Sequence, residues 1–310
     1  MKIIDAHSHY IPPDVAQNTT FFKMGWSDVD RHLKLMDECG IESSLLLYPT
    51  SDAHLKMGGW ANVCKIYNQD IANVVGRFPS RFMGGAILPV DQPDLMTDEL
   101  KRAQDLGLKV VSLASSYEGK YLDDEIFEGV FEFAQHSKIP VHVHPQIMNP
   151  IGTERLNDPL LSPVLEYVFD VSVCIGRMMM SGTFLKYPNV KFIFAHYGGV
   201  LPIVKERFDT TYAMLRGRNY VEDLQKVPSE YFKNLYFDVS GSRSLGTLLA
   251  ALEVVDASHI LFGSDFPANQ NFKATMQNIQ SAQLGLEEKN KIFSGNIFSM
   301  LNVDEKSLKS

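Results

Sequence analysis

Four of the nine histidines and one aspartate are distinguished by their surroundings. His7 and His9 form an HxH pair in IDAHSH, His144 closes PVHVH, His196 lies in FAHYGG and Asp265 in FGSDFP. Neutral imidazole and carboxylate are ligands that divalent metals accept, and imidazole also moves protons near neutral pH. In a strand, residues i and i+2 point the same way, so His7 and His9 present two imidazoles to one point while Ser8 faces outward. An HxH pair alone is a weak signal, because histidine also occurs as a hydrogen-bonded core residue. His142 shares the parity of His144, and periodicity alone does not decide between them; His144 is preferred, with His142 one layer deeper. Asp265 fits a ligand and equally a helix cap, since Gly-Ser-Asp before Phe-Pro is ordinary turn chemistry. His196, followed by Gly198 and Gly199, fits a fourth ligand or a base. A catalytic metal keeps a position open for water or substrate, which favours the base.

These residues must be brought together by the elements that carry them. Short apolar, β-branched-rich runs recur at 2–6, 41–48, 82–88, 108–113, 140–144, 190–195, 235–239 and 259–262. Helical spacing fills most of the intervals, as at 28–39, 98–106, 124–136 and 164–184. Strand and helix alternate throughout, and eight repeats in a chain of this length predict a distorted (β/α)8 TIM barrel rather than an open doubly wound sheet. A barrel gathers the C-terminal ends of its strands into one mouth. His7 and His9 end the first strand, His144 the fifth and His196 the sixth, and Asp265 follows the eighth. Three imidazoles and a carboxylate from His7, His9, His144 and Asp265 then suit one divalent ion: zinc, with manganese or iron as alternatives. His196 and Asp265 are the catalytic candidates. The fourth strand ends Ser112-Leu113-Ala114-Ser115, with Lys109 at its start, so a carbamylated Lys bridging two metals is not expected. His32, His54, His136 and His259 are read as structural or surface residues.

The chain has 310 residues, 45% hydrophobic and 21% charged, enough to bury a large core. No linker or repeat divides it, so residues 1–310 are expected to form one domain, with excursions at 146–187 and 219–233. A net charge of −8 without a basic cluster argues against nucleic acid as a partner. No apolar run approaches a membrane span and the opening MKIIDAHSH lacks a signal-peptide pattern, which predicts a cytoplasmic protein. Cys39, Cys64 and Cys174 are too scattered for a disulfide framework and read as buried small hydrophobes. There is no GxSxG turn, P-loop or nucleophilic Cys, so the metal site has no competitor.

The motifs IDAHSH (4–9), RFMGGAILPVDQPD (81–94), PVHVHPQ (140–146), IGRMMMSGTFLKYPNVKFIFAHYGGVLP (175–202) and ILFGSDFP (260–267) resemble the amidohydrolase superfamily. Within it, the chain is similar to the branch of aminocarboxymuconate-semialdehyde decarboxylase and the resorcylate-type decarboxylases. The resemblance implies a distorted barrel and a mononuclear metal on His7, His9, His144 and Asp265, with His196 activating metal-bound water. It implies a metal-dependent decarboxylase of a small unsaturated or aromatic carboxylic acid; a hydrolase of a lactone or cyclic amide is the alternative. The family also reaches an Arg across a dimer interface, which leaves a homodimer open here. Arg216, or Arg218, lies near that position, and Arg216 is taken as the substrate-binding candidate. Arg207 is read as a structural ion-pair partner. The segment 10–30 is shorter than in the named decarboxylase and offers only Lys23 as a cation. Trp60, Phe22 and Met24 could form an apolar lid or pack as core.

Overall fold

The computed structural model describes residues 2–302 apart from 23, 157 and 222, so Lys23 lies outside the described residues. Eight parallel strands follow the chain in order: β1 (Ile4–His9), β2 (Ser43–Leu47), β3 (Phe82–Ala86), β4 (Val110–Ala114), β5 (Val141–His144), β6 (Phe192–Phe194), β7 (Tyr236–Asp238) and β8 (Ile260–Leu261). Each pairs with the next, and helices fill the crossovers. The sheet closes between the end of β8 and β1, where Ala6 N–H donates to Phe262 O (2.8 Å) and His9 N–H to Phe266 O (2.7 Å). The (β/α)8 barrel read from the sequence is therefore the fold.

Asp5 seals this seam. Its buried carboxylate accepts from Ser264 N (2.9 Å), Ser264 Oγ (2.6 Å), His7 N (3.1 Å) and Ser44 Oγ (3.1 Å). Burial pushes its pKa up to about 6 against the opposing pull of those hydrogen bonds. The β1–β2 register slips between Asp5 and Ser8. Below the slip, Ile4 and Ala6 join Leu45, Met83, Val110, Ile193 and Leu261 in an apolar cluster that Ile297, Phe298 and Met300 extend. Above it, His7 and His9 turn toward the mouth. Ser8 faces away from them, bonded to Ser44 Oγ (2.8 Å) and Leu45 O (2.9 Å).

The crossover helices follow local rules. Asp28 caps the helix Val29–Cys39 by accepting from Arg31 N (2.9 Å), and Gly40 ends it in the left-handed region at φ 68°. Pro93 opens the next predicted helix at its first turn, so that helix runs Pro93–Asp105, earlier than its apolar spacing suggested. The 164–184 run divides into a π-helical turn (Ser162–Glu166) and helices Tyr167–Met180 and Thr183–Lys186, with Gly182 in the left-handed region between them. Cys64 and Cys174 are buried, whereas Cys39 is only partly so. Among the described residues no helix is long and apolar enough to cross a membrane.

Candidate metal centre

At the C-terminal ends of the strands, ligand atoms of His7, His9, His144 and Asp265 lie within 4.8 Å of one another. His7 Nε2 is 3.1 Å from His9 Nε2, and Asp265 Oδ1 is 3.0 Å from His9 Nε2 and 3.6 Å from His7 Nε2. Donors arranged tetrahedrally around zinc sit about 3.3 Å apart, given bond lengths near 2.0–2.1 Å.

The tautomers are fixed from behind. His7 Nδ1 faces Asp238 Oδ2 (2.9 Å), His9 Nδ1 faces Leu47 O (3.4 Å) and His144 Nδ1 faces Pro145 O (3.0 Å). All three oxygens only accept, so each Nδ1 carries a proton; the neutral rings of His7 and His144 then leave Nε2 as a lone pair, while His9 Nε2 stands at hydrogen-bond distance from Asp265 Oδ1 (3.0 Å). Burial holds His7 at a pKa of about 4, and burial with the fields of neighbouring histidines holds His144 well below the usual range. Burial alone would raise Asp265, but the His9 hydrogen bond and the fields of His196, His7 and His9 outweigh it and the net shift is downward. Neutral imidazole lone pairs facing one another beside an ionised carboxylate repel unless a cation lies among them. The residues present therefore fit a divalent metal ion.

Asp238 organises the wall behind this cluster. The carboxylate is fully buried and accepts from His7 Nδ1 and His142 Nε2 (3.0 Å) through Oδ2, and from Ser240 Oγ, Ser240 N (3.1 Å) and His196 N (3.2 Å) through Oδ1. Burial would raise its pKa; the charge and hydrogen bonds of His7 and His142 outweigh burial and hold it well below the carboxylate range. His142 lies behind His7, as the parity argument required, and is occupied with Asp238. Ser240 Oγ donates to Asp238, so it accepts from His196 Nδ1 (2.8 Å) and leaves His196 Nε2 free.

The backbone is strained at three positions of the site. His196 (φ 55°), Tyr197 (φ 60°) and Asp265 (φ 60°) all occupy the left-handed region, which costs non-glycine residues roughly 1–3 kcal/mol each. A Cβ on Gly241 would stand 2.7 Å from His196 Nδ1, so only glycine lets this loop pass behind the imidazole.

His9, His144, His196 and Asp265 line one cleft of about 700 Å³. An aromatic path leads into it: Phe21 meets Phe22 edge-on (5.3 Å between centroids), Phe22 meets Trp26 (4.5 Å), and Trp26 lies 5.7 Å from the His9 ring. The opposite wall, with Pro163 and Tyr167, comes from the excursion after β5. That excursion is tied down by buried Asp170, which accepts from Ser115 Oγ, Ser116 Oγ (3.2 Å), Tyr121 OH (3.1 Å) and Ile151 N (2.9 Å). Ser115 thus has a structural partner where a bridging Lys was sought, and Lys109 is exposed at the far end of β4.

The fold brings five of the sequence-predicted residues together and leaves the sixth aside. Arg216 ends the helix Leu201–Arg216, ion-paired with Asp223 and outside the cleft lining; Arg218 is exposed just beyond. Arg207 is exposed and makes no ion pair among the described residues. Trp60 stacks on His54 (4.5 Å, 14°) and borders a different cleft, Met24 is 50% exposed, and Phe22 lines the main cleft. Asp238, Ser240, Trp26 and Arg243 were missed. Asp238 was within reach, since the strand-end rule that selected His144 applies equally to the seventh run.

Known proteins are similar to this chain over most of their length. The chain is 28% identical over 289 residues to gamma-resorcylate decarboxylase of Polaromonas sp. strain JS666, covering 89% of this chain and 87% of that one. It is 25% identical over 342 residues to 2-amino-3-carboxymuconate-6-semialdehyde decarboxylase of Dictyostelium discoideum, covering 97% and 92%. The fold superimposes on 5-carboxyvanillate decarboxylase LigW from Sphingomonas paucimobilis with a TM-score of 0.88 at 23% identity, over 98% and 100% of the two chains. It also superimposes on a dihydroxybenzoic acid decarboxylase of Polaromonas sp. JS666, with bound manganese and 2-nitroresorcinol, at a TM-score of 0.84 and 25% identity over 97% of each. The amidohydrolase family model matches residues 4–302, and the chain belongs to that family.

Proposed function

We propose that this protein is a metal-dependent decarboxylase of a small aromatic or unsaturated carboxylic acid. The observation that carries the reading is the convergence of His7 Nε2, His9 Nε2 and Asp265 Oδ1 in a cleft that also holds His196 and an aromatic wall. The relatives named as decarboxylases support it. His7, His9, His144 and Asp265 would hold one divalent ion, zinc by donor set, with manganese or iron as alternatives. When bound, such an ion is a Lewis acid that draws electron density from a substrate oxygen and stabilises the charge developing during the reaction.

The chain's own residues supply orientation and the proton. Trp26 and Phe22 flank the ring and exclude water. His196, held through Nδ1 by Ser240, takes up a proton from solvent at Nε2 and delivers it to the carbon bearing the carboxylate; the C–C bond to the carboxylate then breaks, its electron pair returns to the ring, carbon dioxide leaves and the imidazole is neutral again. Asp265 joins this chemistry as ligand and as the fixed negative charge nearest His9. The same reading takes residues 1–310 as one domain working in the cytoplasm on a small-molecule carboxylate, and leaves a homodimer open.

The test is carbon dioxide release from hydroxybenzoic acids by zinc- and manganese-loaded protein, with metal per chain measured in parallel. Release by wild type, lost together with the metal in Asp265→Ala, supports the reading. Acidification or ring opening without gas assigns a lactone or cyclic-amide hydrolase instead, and a protein that retains no metal after reconstitution overturns both.

A further inference from the structure

Arg243 is the one Lys or Arg among the described residues lining the cleft. Its main chain is fixed: Arg243 O accepts from Asn278 Nδ2, and Ser242 O accepts from Thr275 Oγ1 (3.0 Å). Its guanidinium is exposed and has no ion pair or hydrogen bond among the described residues, whereas Arg81, Arg102, Arg177 and Arg216 are each paired with a carboxylate. A rigid loop thus presents an uncommitted fork of donors at the cleft rim, two residues beyond the glycine that packs on His196. Guanidinium matches carboxylate geometry in two parallel hydrogen bonds.

Which carboxylate it meets follows from the reaction. An ion pair to the group that leaves as neutral carbon dioxide is stronger in the ground state than in the transition state, and so slows the step. An ion pair to a carboxylate that stays is equal in both and contributes to binding alone. We propose that Arg243 reads a second, non-reacting carboxylate, so that the preferred substrates are aromatic dicarboxylic acids. This rests on the decarboxylase reading and specifies its substrate class. A cleft of about 700 Å³ accommodates the additional substituent.

The probes are 2-hydroxybenzoate and its ring-matched dicarboxylate, 4-hydroxyisophthalate, on metal-loaded wild type, Arg243→Gln and Arg243→Lys, with circular dichroism and metal content as checks on folding. Wild type is expected to favour the dicarboxylate in kcat/KM by roughly tenfold or more, through KM. Arg243→Gln removes that preference, Arg243→Lys keeps part of it, and raising the salt shrinks it, as for an exposed pair. Equal losses on both acids in Arg243→Gln, or an unchanged preference, overturn the proposal. Calorimetric binding of isophthalate against benzoate to the same three proteins separates the two claims. If no acid releases carbon dioxide but isophthalate is still preferred and the preference vanishes in Arg243→Gln, the anion site stands and the decarboxylase reading falls. If wild type prefers the dicarboxylate in neither assay, the anion site falls whatever the activity.

Discussion

The floor and the rim of the cleft are built on opposite principles. On the floor, His7, His144 and Asp238 are buried, and each Nδ1 or carboxylate oxygen that could turn is held by a named partner. At the rim, Phe21 is 65% exposed and the Arg243 guanidinium is unpaired among the described residues. The floor can hold one arrangement of donors and tolerates no substitution that leaves a buried polar group alone. The rim can change its side chains without disturbing the chemistry beneath. On the proposed reading, reaction type and substrate choice are therefore separable, and variants in the two regions should differ in kind as well as in size.

The largest effect is expected from Asp265→Ala. Removing the carboxylate should lose the metal and lower kcat/KM by at least about 10³-fold, read by elemental analysis beside kinetics. His196→Asn follows, with kcat reduced roughly 10²- to 10⁴-fold while metal content stays at the wild-type level. Should His196→Asn lose the metal as well, His196 is a ligand and the division between holding and proton transfer fails. Asp238→Asn should weaken metal binding about 10- to 100-fold in a chelator competition, because an amide cannot accept from His7 and His142 as a carboxylate does. Trp26→Ala belongs to the rim: KM should rise roughly tenfold with kcat and metal content unchanged. A fall in its metal content would show that the two regions are coupled.

The last expected effect lies outside both regions and bears on stability, leaving activity at neutral pH unchanged. His32 sits between Phe82 (5.2 Å) and Phe266 (4.8 Å), and burial, chiefly, lowers its pKa from 6.5 to about 3. The unfolded chain takes up a proton near pH 6.5 that the folded chain refuses. Stability is thus retained above pH 6.5 and declines as the pH falls from 6.5 toward 3, at roughly 1.4 kcal/mol per unit. Thermal melts of His32→Phe across this range should show a shallower acid limb than wild type; an equal slope would remove His32 as the cause.

The floor was far more legible in the sequence than the rim, for a physical reason. Strands impose a period of two, so the positions of His7, His9 and His144 could be inferred from alternation, and the barrel rule converted strand ends into one site. Even there, the register slip in β1 that changes phase between Ala6 and His7 has no local signal, and the apolar run that marked the strand stops at residue 6, short of the histidines it carries. Loops carry no such period. Arg216 was chosen by analogy and is paired with Asp223, while Arg243 was overlooked because its place at the mouth depends on the β7 loop being tied to Asn278 and Thr275. Trp26 likewise follows a segment whose path is set by tertiary contacts.

The seam closed by Asp5 and Ser264 also bears on the order of events during synthesis. His9 and Asp265 are 256 residues apart, so a ribosome adding about 5–20 residues per second separates them by roughly 13 to 50 s. During that interval the β1 edge has no β8 to accept its amides, and the imidazoles of His7 and His9 stand without their carboxylate. On the proposed reading, metal loading through the complete donor set comes after translation of the eighth strand. A chain released before Ser264 would carry His7, His9 and His144 and still lack both the latch and the carboxylate that stands beside them.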